Sequence, residues 1–226
     1  MLVLAIDTAT TDLVTGLVDT ATGESTDSVI EGTRAHNEAL IPTIEELLAQ
    51  AGVSYADLDA IVVGTGPGPF TGLRVGMATA SALADALNIP LHGVCSLDAI
   101  AHEAHAGASS DSVLVATDAR RKEVYWATYT DGVRTAGPDV QAPETLSAQA
   151  DRVVIPEALA ARLPDNLATV PRTEAGPRAA GLVGVADLER APEPVVPLYL
   201  RRPDAVPPQL KPASAALFSR AYTTDS

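Results

Sequence analysis

The feature that most constrains this chain is one run, Gly64-Thr-Gly-Pro-Gly-Pro-Phe-Thr-Gly-Leu-Arg-Val-Gly76, which follows the apolar Ala60-Ile61-Val62-Val63. An apolar stretch ending in glycines and prolines predicts a buried strand that turns sharply into a loop. A helical pattern then covers Thr71–Leu87, with Asn88 and Pro90 placed to close it. Gly72, Gly76 and Ala80 recur every four residues and make a flat face that admits a close neighbour. A glycine costs a helix about 1 kcal/mol against alanine, so two on one face predict close contact. Leu73, Met77, Ala84 and Leu87 form a second apolar face, and Arg74, Ser81, Asp85 and Asn88 the polar stripe. Such a helix needs cover on two sides: a sheet, and either the preceding helix or a second protein chain. A Gly-rich strand-to-helix turn can also offer backbone N–H groups to an anion. No Lys-Ser or Lys-Thr follows these glycines, so the run is not a Walker phosphate loop. From the residues alone, an anion cradle and a tight structural turn both stay open.

The flanking sequence predicts a mixed sheet. Leu2-Val-Leu-Ala-Ile6, ending at Asp7, reads as a strand buried on both faces. Thr8–Asp12 is a polar turn, Leu13–Val18 a second strand, Gly23 another turn, and Ser28–Ile30 part of a third strand. From Asn37 to Ala51 the period is helical, with Leu40, Ile44, Leu47, Leu48 and Ala51 on one face and Gly52 as the stop. A strand at Leu91–Val94 and a helix at Ser96–His105 complete a first unit, and Gly107–Ser110 reads as a linker. Strands at Val113–Thr117 and Glu123–Thr130 open a second unit, beyond which Pro and Ala accumulate and Val153–Ile155 and Gly181–Glu189 are only loosely defined. The expected organisation is an N-terminal lobe over 1–108, a C-terminal lobe over 109–202, and a tail over 203–226. Four prolines and few bulky apolar residues predict that the tail is partly disordered.

Composition excludes some partners. The 226 residues carry 15 Lys and Arg against 29 Asp and Glu, a net charge of −14. Gripping a polyphosphate depends on basic residues that displace counterions, so the chain is expected to be a poor nucleic-acid binder by itself. Arg120-Arg121-Lys122 is its one compact basic cluster. The single cysteine, Cys95, allows no internal disulfide and reads as a small buried residue of a reducing compartment. No membrane span and no leader are evident, so a cytoplasmic protein is expected. The four histidines form no His-x-x-x-His pair, and His102 with His105 is read as surface rather than as a metal site. His36, just ahead of a helix, reads as a capping or surface residue. No Gly-x-Ser-x-Gly elbow is present, and Asp7 is the one carboxylate standing where a site residue would.

Several segments carry a resemblance. Leu4-Ala-Ile-Asp-Thr-Ala-Thr10 followed by the Gly64–Gly76 run resembles the TsaB (YeaZ) family. Thr117-Asp-Ala-Arg-Arg-Lys-Glu-Val-Tyr-Trp126 is similar to that family's second signature, Pro197-Leu-Tyr-Leu-Arg201 to its C-terminal ending, and His36-Asn-Glu-Ala-Leu-Ile-Pro42 also fits. The matches fall in order from residue 4 to residue 201. The resemblance implies an α/β fold of the actin/Hsp70/sugar-kinase (ribonuclease H-like) type, two similar lobes each with a mixed central sheet flanked by helices. It implies a non-catalytic partner of the paralogue TsaD, which transfers threonylcarbamoyl to N6 of adenosine 37 in tRNA, with the ATPase TsaE completing the complex. The tRNA would be met only through that complex, and when the partner is missing the patch it covers could make a homodimer, monomer and homodimer both staying open.

In the catalytic paralogue a His-x-x-x-His metal pair follows the strand-turn matching Pro90–Val94; the resemblance places those positions near Ser96 and Ile100, neither a suitable pair of ligands. The glycine of the superfamily's first phosphate loop is replaced by Ala9, whose Cβ would hinder approach of a phosphate. The implied partner interface is a four-helix contact using His36, Leu40, Ile44, Leu47, Gly72, Arg74, Gly76 and Ala80. No tightly bound cofactor or metal is implied. The implied contacts to ATP or ADP at the complex interface are Asp7, Thr8, Thr10, Gly66, Gly68 and Arg120, with Arg120 also a candidate contact to the ATPase. The competing readings are a small ATP-dependent phosphotransferase of the same superfamily, a peptidase, and a homodimeric interaction module.

Overall fold

The structure, a computed structural model, describes residues 1–33, 35–105 and 112–201. The linker expected at 107–110 and the tail expected at 203–226 lie outside the described residues. In chain order the first part runs β1 (Leu2–Asp7), β2 (Leu13–Asp19), β3 (Glu24–Ile30), α1 (His36–Ala51), β4 (Ala60–Gly64), α2 (Phe70–Leu87), β5 (Leu91–Val94) and α3 (Ser96–His105). The second runs β6 (Ser112–Asp118), β7 (Val124–Thr130), β8 (Val133–Gln141), β9 (Arg152–Val154), α4 (Glu157–Ala160), α5 (Asp165–Ala168), β10 (Arg172–Thr173) and α6 (Ala179–Gly184).

Both sheets follow one plan. The first has the order β3-β2-β1-β4-β5, the second β8-β7-β6-β9-β10. In each, three strands form an antiparallel meander and two more add in parallel to its first strand. Two lobes of the same topology, each with a mixed sheet and flanking helices, are what an actin-like fold requires.

The apolar runs fill both faces of the first sheet. Leu4 and Ile6 of β1, with Ile61 and Val63 of β4, pack under α1 and α2. Val3, Ala5, Ala60 and Val62 face the other way, onto Ala99 of α3 and Ala179, Leu182 and Val183 of α6. Strands covered on both sides have no polar alternation, which is why they read as continuous hydrophobic segments. α1 stops at Gly52, whose φ of +69° is the left-handed conformation that glycine adopts without a Cβ penalty.

α6 changes the division of the chain. The expected C-terminal lobe does not keep its last residues to itself: Ala179, Leu182 and Val183 pack on the first sheet, and Val195 joins the cluster under α1 and α2. α3 bridges the lobes, with Leu97, Ile100 and Ala101 packed beside Val113, Val115 and Tyr129. Asp98 of α3 fastens that bridge, accepting from Tyr129 Oη at 2.7 Å and from Arg134 at 2.9 Å.

Candidate functional site

The end of β1, the Gly-rich loop and the start of α2 lock together where the lobes meet. Thr8 is 1% exposed. Its hydroxyl donates to the Gly72 carbonyl at 2.8 Å and accepts from the Gly76 N–H at 3.1 Å, the two groups an α-helix ordinarily joins directly. The side chain of Thr8 therefore sits inside the hydrogen-bond ladder of α2. This accounts for both glycines: a Cβ at Gly72 would lie 2.7 Å from the Thr8 carbonyl oxygen, and one at Gly76 2.3 Å from Thr8 Oγ1. The close neighbour of the small-residue face is the chain's own β1 turn.

Asp7 is sealed. Its Oδ1 accepts from the Ala9 N–H at 2.7 Å and its Oδ2 from Ser96 Oγ at 2.6 Å. A Cβ on Gly64 would stand 1.8 Å from Oδ2, so glycine there is what admits the carboxyl. Burial pushes its pKa up to about 6, against the pull of the two hydrogen bonds. The loop is equally closed. Residues 64–68 are all buried, a Cβ on Gly68 would lie 2.1 Å from the Ala9 carbonyl oxygen, and Gly66, at φ +93°, accepts the Ser96 N–H at 2.8 Å. The run is a structural turn whose polar groups point into the protein.

These contacts bear on several sequence-based expectations. Asp7, Thr8, Gly66 and Gly68, expected to meet a nucleotide, are interior and engaged. Leu40, Ile44 and Ala80 have no exposed surface and Leu47 has 2%, because α1 and α2 lay these residues on the first sheet. Leu40, Ile44, Leu47, Gly76 and Ala80 therefore cannot present side chains to a partner, and Gly72 is held against Thr8. Of the expected interface set, Arg74 is exposed and His36 half-buried. Of the two positions that the resemblance matched to the paralogue's metal pair, Ser96 bonds to Asp7 and Ile100 is wholly buried. Among the described residues no group of three or more His, Cys, Asp or Glu could hold a metal ion.

Thr10 and Arg120 do reach the surface, in two adjoining recesses between the lobes. The larger, about 370 Å³, is lined by Thr10, Thr11, His36, Asn37, Gly72 and Arg120 among others. The smaller, about 110 Å³, gathers Asp12, Asp118 and Glu174 around the same Thr10 and Arg120. Three carboxylates against one guanidinium leave it a poor place for a bare polyphosphate.

Arg120 stands on an unusual turn. Arg120, Arg121 and Lys122 have φ of 63°, 55° and 63°, three successive left-handed residues of which none is glycine. Such backbone persists only where its surroundings hold it. Here Asp118 Oδ1 accepts the Arg120 N–H at 2.7 Å, Arg162 donates to the Lys122 carbonyl while paired with Glu144, and Arg201 donates to the Ala119 carbonyl at 2.9 Å and pairs with Glu123. Arg162 had no place in the sequence reading and Arg201 only as the end of the Pro197–Arg201 motif; nothing local in sequence links residues 40 and 82 positions from the carbonyls they reach.

The outer side of α2 is left open. Thr71, Arg74, Ala78, Ala82 and Asp85 are exposed, as are Ile41 and Pro42 of α1. At its N-terminal end Phe70 and Tyr199 stack at 4.8 Å, with the Arg74 guanidinium 3.7 Å over the Phe70 ring and its Nε donating to Tyr199 Oη at 2.8 Å. Phe70 is 42% and Tyr199 37% exposed, so two of the chain's few aromatic rings are spent at the surface.

Comparison with known proteins places the chain. The family model for TsaD: tRNA N6-adenosine threonylcarbamoyltransferase matches residues 22–180. An uncharacterized protein of Mycobacterium tuberculosis is 49% identical over 214 residues, 91% of this chain and 94% of that protein. The Escherichia coli tRNA threonylcarbamoyladenosine biosynthesis protein TsaB is 37% identical over 129 residues, 57% of this chain and 55% of its own length. Among solved structures, YeaZ from Pseudomonas aeruginosa superposes with a TM-score of 0.74 at 29% identity, covering 88% of this chain and 99% of that one.

Proposed function

The chain belongs to the TsaB (YeaZ) family, within the wider TsaD group, and from that membership we propose that it acts in tRNA threonylcarbamoyladenosine biosynthesis as a scaffold that binds and activates a TsaD-type catalytic subunit. The observation that carries the reading is the uncovered outer side of α2. Ala78 and Ala82 there are small enough for a second helix to pack closely. Phe70, Arg74 and Tyr199 at its end are of the residue types that dominate binding energy at interfaces. The partner face is thus the opposite side of α2 from Gly72, Gly76 and Ala80, extended by Ile41 and Pro42. No catalytic role is assigned to this chain. Asp7 and Thr8 are spent on internal hydrogen bonds, which weighs against the phosphotransferase. ATP or ADP, if engaged, would enter at Thr10 and Arg120 with further groups supplied by the partner, the TsaE-type ATPase joining at that junction. The tRNA would be met through the complex.

Co-elution with the TsaD-type subunit on a sizing column tests this. Wild type is expected to form a complex that Ala78→Glu abolishes while its melting temperature stays unchanged. Gly76→Arg would not serve, since it drives a side chain into Thr8 and disrupts the fold itself. No complex with wild type, with or without nucleotide and the ATPase subunit, would overturn the scaffold reading. Self-association through the same face would then become the reading to pursue.

A further inference from the structure

One short stretch of chain joins the aromatic end of α2 to the turn at the lobe junction. Residues 195–201 belong to no helix or strand, and Pro197 fixes part of their backbone. Side chains hold the stretch in place. Val195 joins the core under α1 and α2, while Leu198 and Leu200 pack on the core that contains Leu97, Ala119 and Tyr125. The Leu198 N–H donates to the Thr65 carbonyl at 2.8 Å. Tyr199, between the two leucines, lies at the surface, stacked on Phe70 and accepting from Arg74 Nε. Two residues on, Arg201 donates to the Ala119 carbonyl and pairs with Glu123. Two residues span at most about 7 Å, so the ring on α2 and the brace of the turn cannot move far apart.

We propose that residues 195–201 are a strap that couples the outer end of α2 to the Arg120 turn, so that a protein covering Phe70 and Tyr199 steadies Arg120 at the lobe junction. That the covering protein is the TsaD-type subunit rests on the function proposed above; the link between Tyr199 and the turn does not. The turn has two arrangements for the strap to select between. Left-handed backbone is disfavoured for residues with a Cβ, so Arg120, Arg121 and Lys122 keep it only while their contacts outweigh the penalty. Arg201 supplies two of those contacts. With them lost the turn relaxes, and Arg120, which lines both recesses between the lobes, loses its fixed place. The turn's other brace, Arg162, pairs with Glu144 inside the second lobe, so it holds the turn without answering to α2. By linkage the effect is reciprocal: a ligand that fixes Arg120 tightens the hold on the partner by the same factor.

Hydrogen exchange of the full chain, read by NMR at the amides of Ala119, Arg120 and Glu123, tests the strap. These amides donate to the Glu123 carbonyl, Asp118 Oδ1 and the Arg120 carbonyl, so their exchange reports opening of the turn. Tyr199→Ala is expected to speed exchange there by about fivefold, the size of one lost aromatic pair, with the protection of β1 and β4 unchanged. Added to Arg201→Ala it should do nothing more, because the route is already cut. Added to Arg162→Ala it should keep its full effect. Ala78→Glu, on the same side of α2 but away from the rings, should leave the turn as in wild type.

In a second arm, saturating TsaD-type subunit should slow exchange at the three amides by about tenfold in wild type and leave it unchanged in Arg201→Ala. Turn exchange unmoved by Tyr199→Ala, additive effects of Tyr199→Ala and Arg201→Ala, or equal protection by the subunit in Arg201→Ala would each overturn the coupling. If no complex forms, the scaffold reading falls, and the variants of the isolated chain still decide whether the strap couples α2 to the turn.

Discussion

Replacing Asp7 with Asn isolates the electrostatic consequence of sealing a carboxyl beneath Gly64. The unfolded chain ionises this group near the ordinary aspartate value of 3.8, whereas the folded chain holds the proton to about pH 6. Protonated Asp7 is therefore favoured by folding. The associated stability is fully present below pH 3.8 and is lost as pH rises through about 6, since there the native state binds more protons than the unfolded one. The full loss is on the order of 3 kcal/mol, a large part of a typical folding free energy, and roughly half of it falls between pH 5 and pH 8. Asn has nearly the same shape; its oxygen can accept from the Ala9 N–H and its amide can donate to Ser96 Oγ. Urea unfolding of both proteins at pH 5, 6, 7 and 8 should show wild type losing on the order of 1 kcal/mol relative to Asp7→Asn across that range. Taking the difference cancels the other carboxylates, which matters in a chain of net charge −14. Parallel profiles, or a variant that loses ground as pH rises, would refute the reasoning. Either result would mean that the Ser96 and Ala9 hydrogen bonds outweigh desolvation and hold the carboxylate ionised.

Two other changes probe the same junction. Thr8→Val leaves the Gly72 carbonyl and Gly76 N–H without the hydroxyl between them and should cost about 1–3 kcal/mol in urea unfolding; an unchanged midpoint would show the helix closing its own ladder at no penalty. Arg201→Ala should speed amide exchange at Ala119 and Glu123 by roughly tenfold, about the 1.4 kcal/mol of one charged hydrogen bond, with the protection of β1 and β4 unaltered; exchange unchanged at the turn would remove Arg201 as its brace.

The parts of the fold that showed in the sequence are those whose burial is uniform. β1 and β4 lie between two helical layers and α1 and α2 lie on one, so an unbroken apolar run and a 3.6-residue period record them. β8 left no such trace, because it is an edge strand, mostly exposed, that carries Gly137-Pro138 at a break in its register with β7. Two-residue β10 is too short for any pattern. The return of α6 to the first sheet was also hidden, since Ala179, Leu182 and Val183 show that they are buried and not by which lobe.

The candidate site shows the same limit in sharper form. A Gly-x-x-x-Gly-x-x-x-Ala face states that something comes within reach of backbone, and the sequence is silent on what comes. Partner helix and β1 turn satisfy the pattern equally, and only the 2.3 Å between Thr8 Oγ1 and a Cβ built on Gly76 decides for the turn. The proposed recognition surface thus lies half-way round α2, at Ala78 and Ala82, which as ordinary helix formers carry no signal in the sequence, beside Arg74, which the expected interface set already contained. It also makes the glycines and the proposed partner face interdependent. Thr8 fixes α2 against the sheet from inside, so the outer residues are presented on a helix that cannot roll, the condition for a partner to bind without first ordering its target.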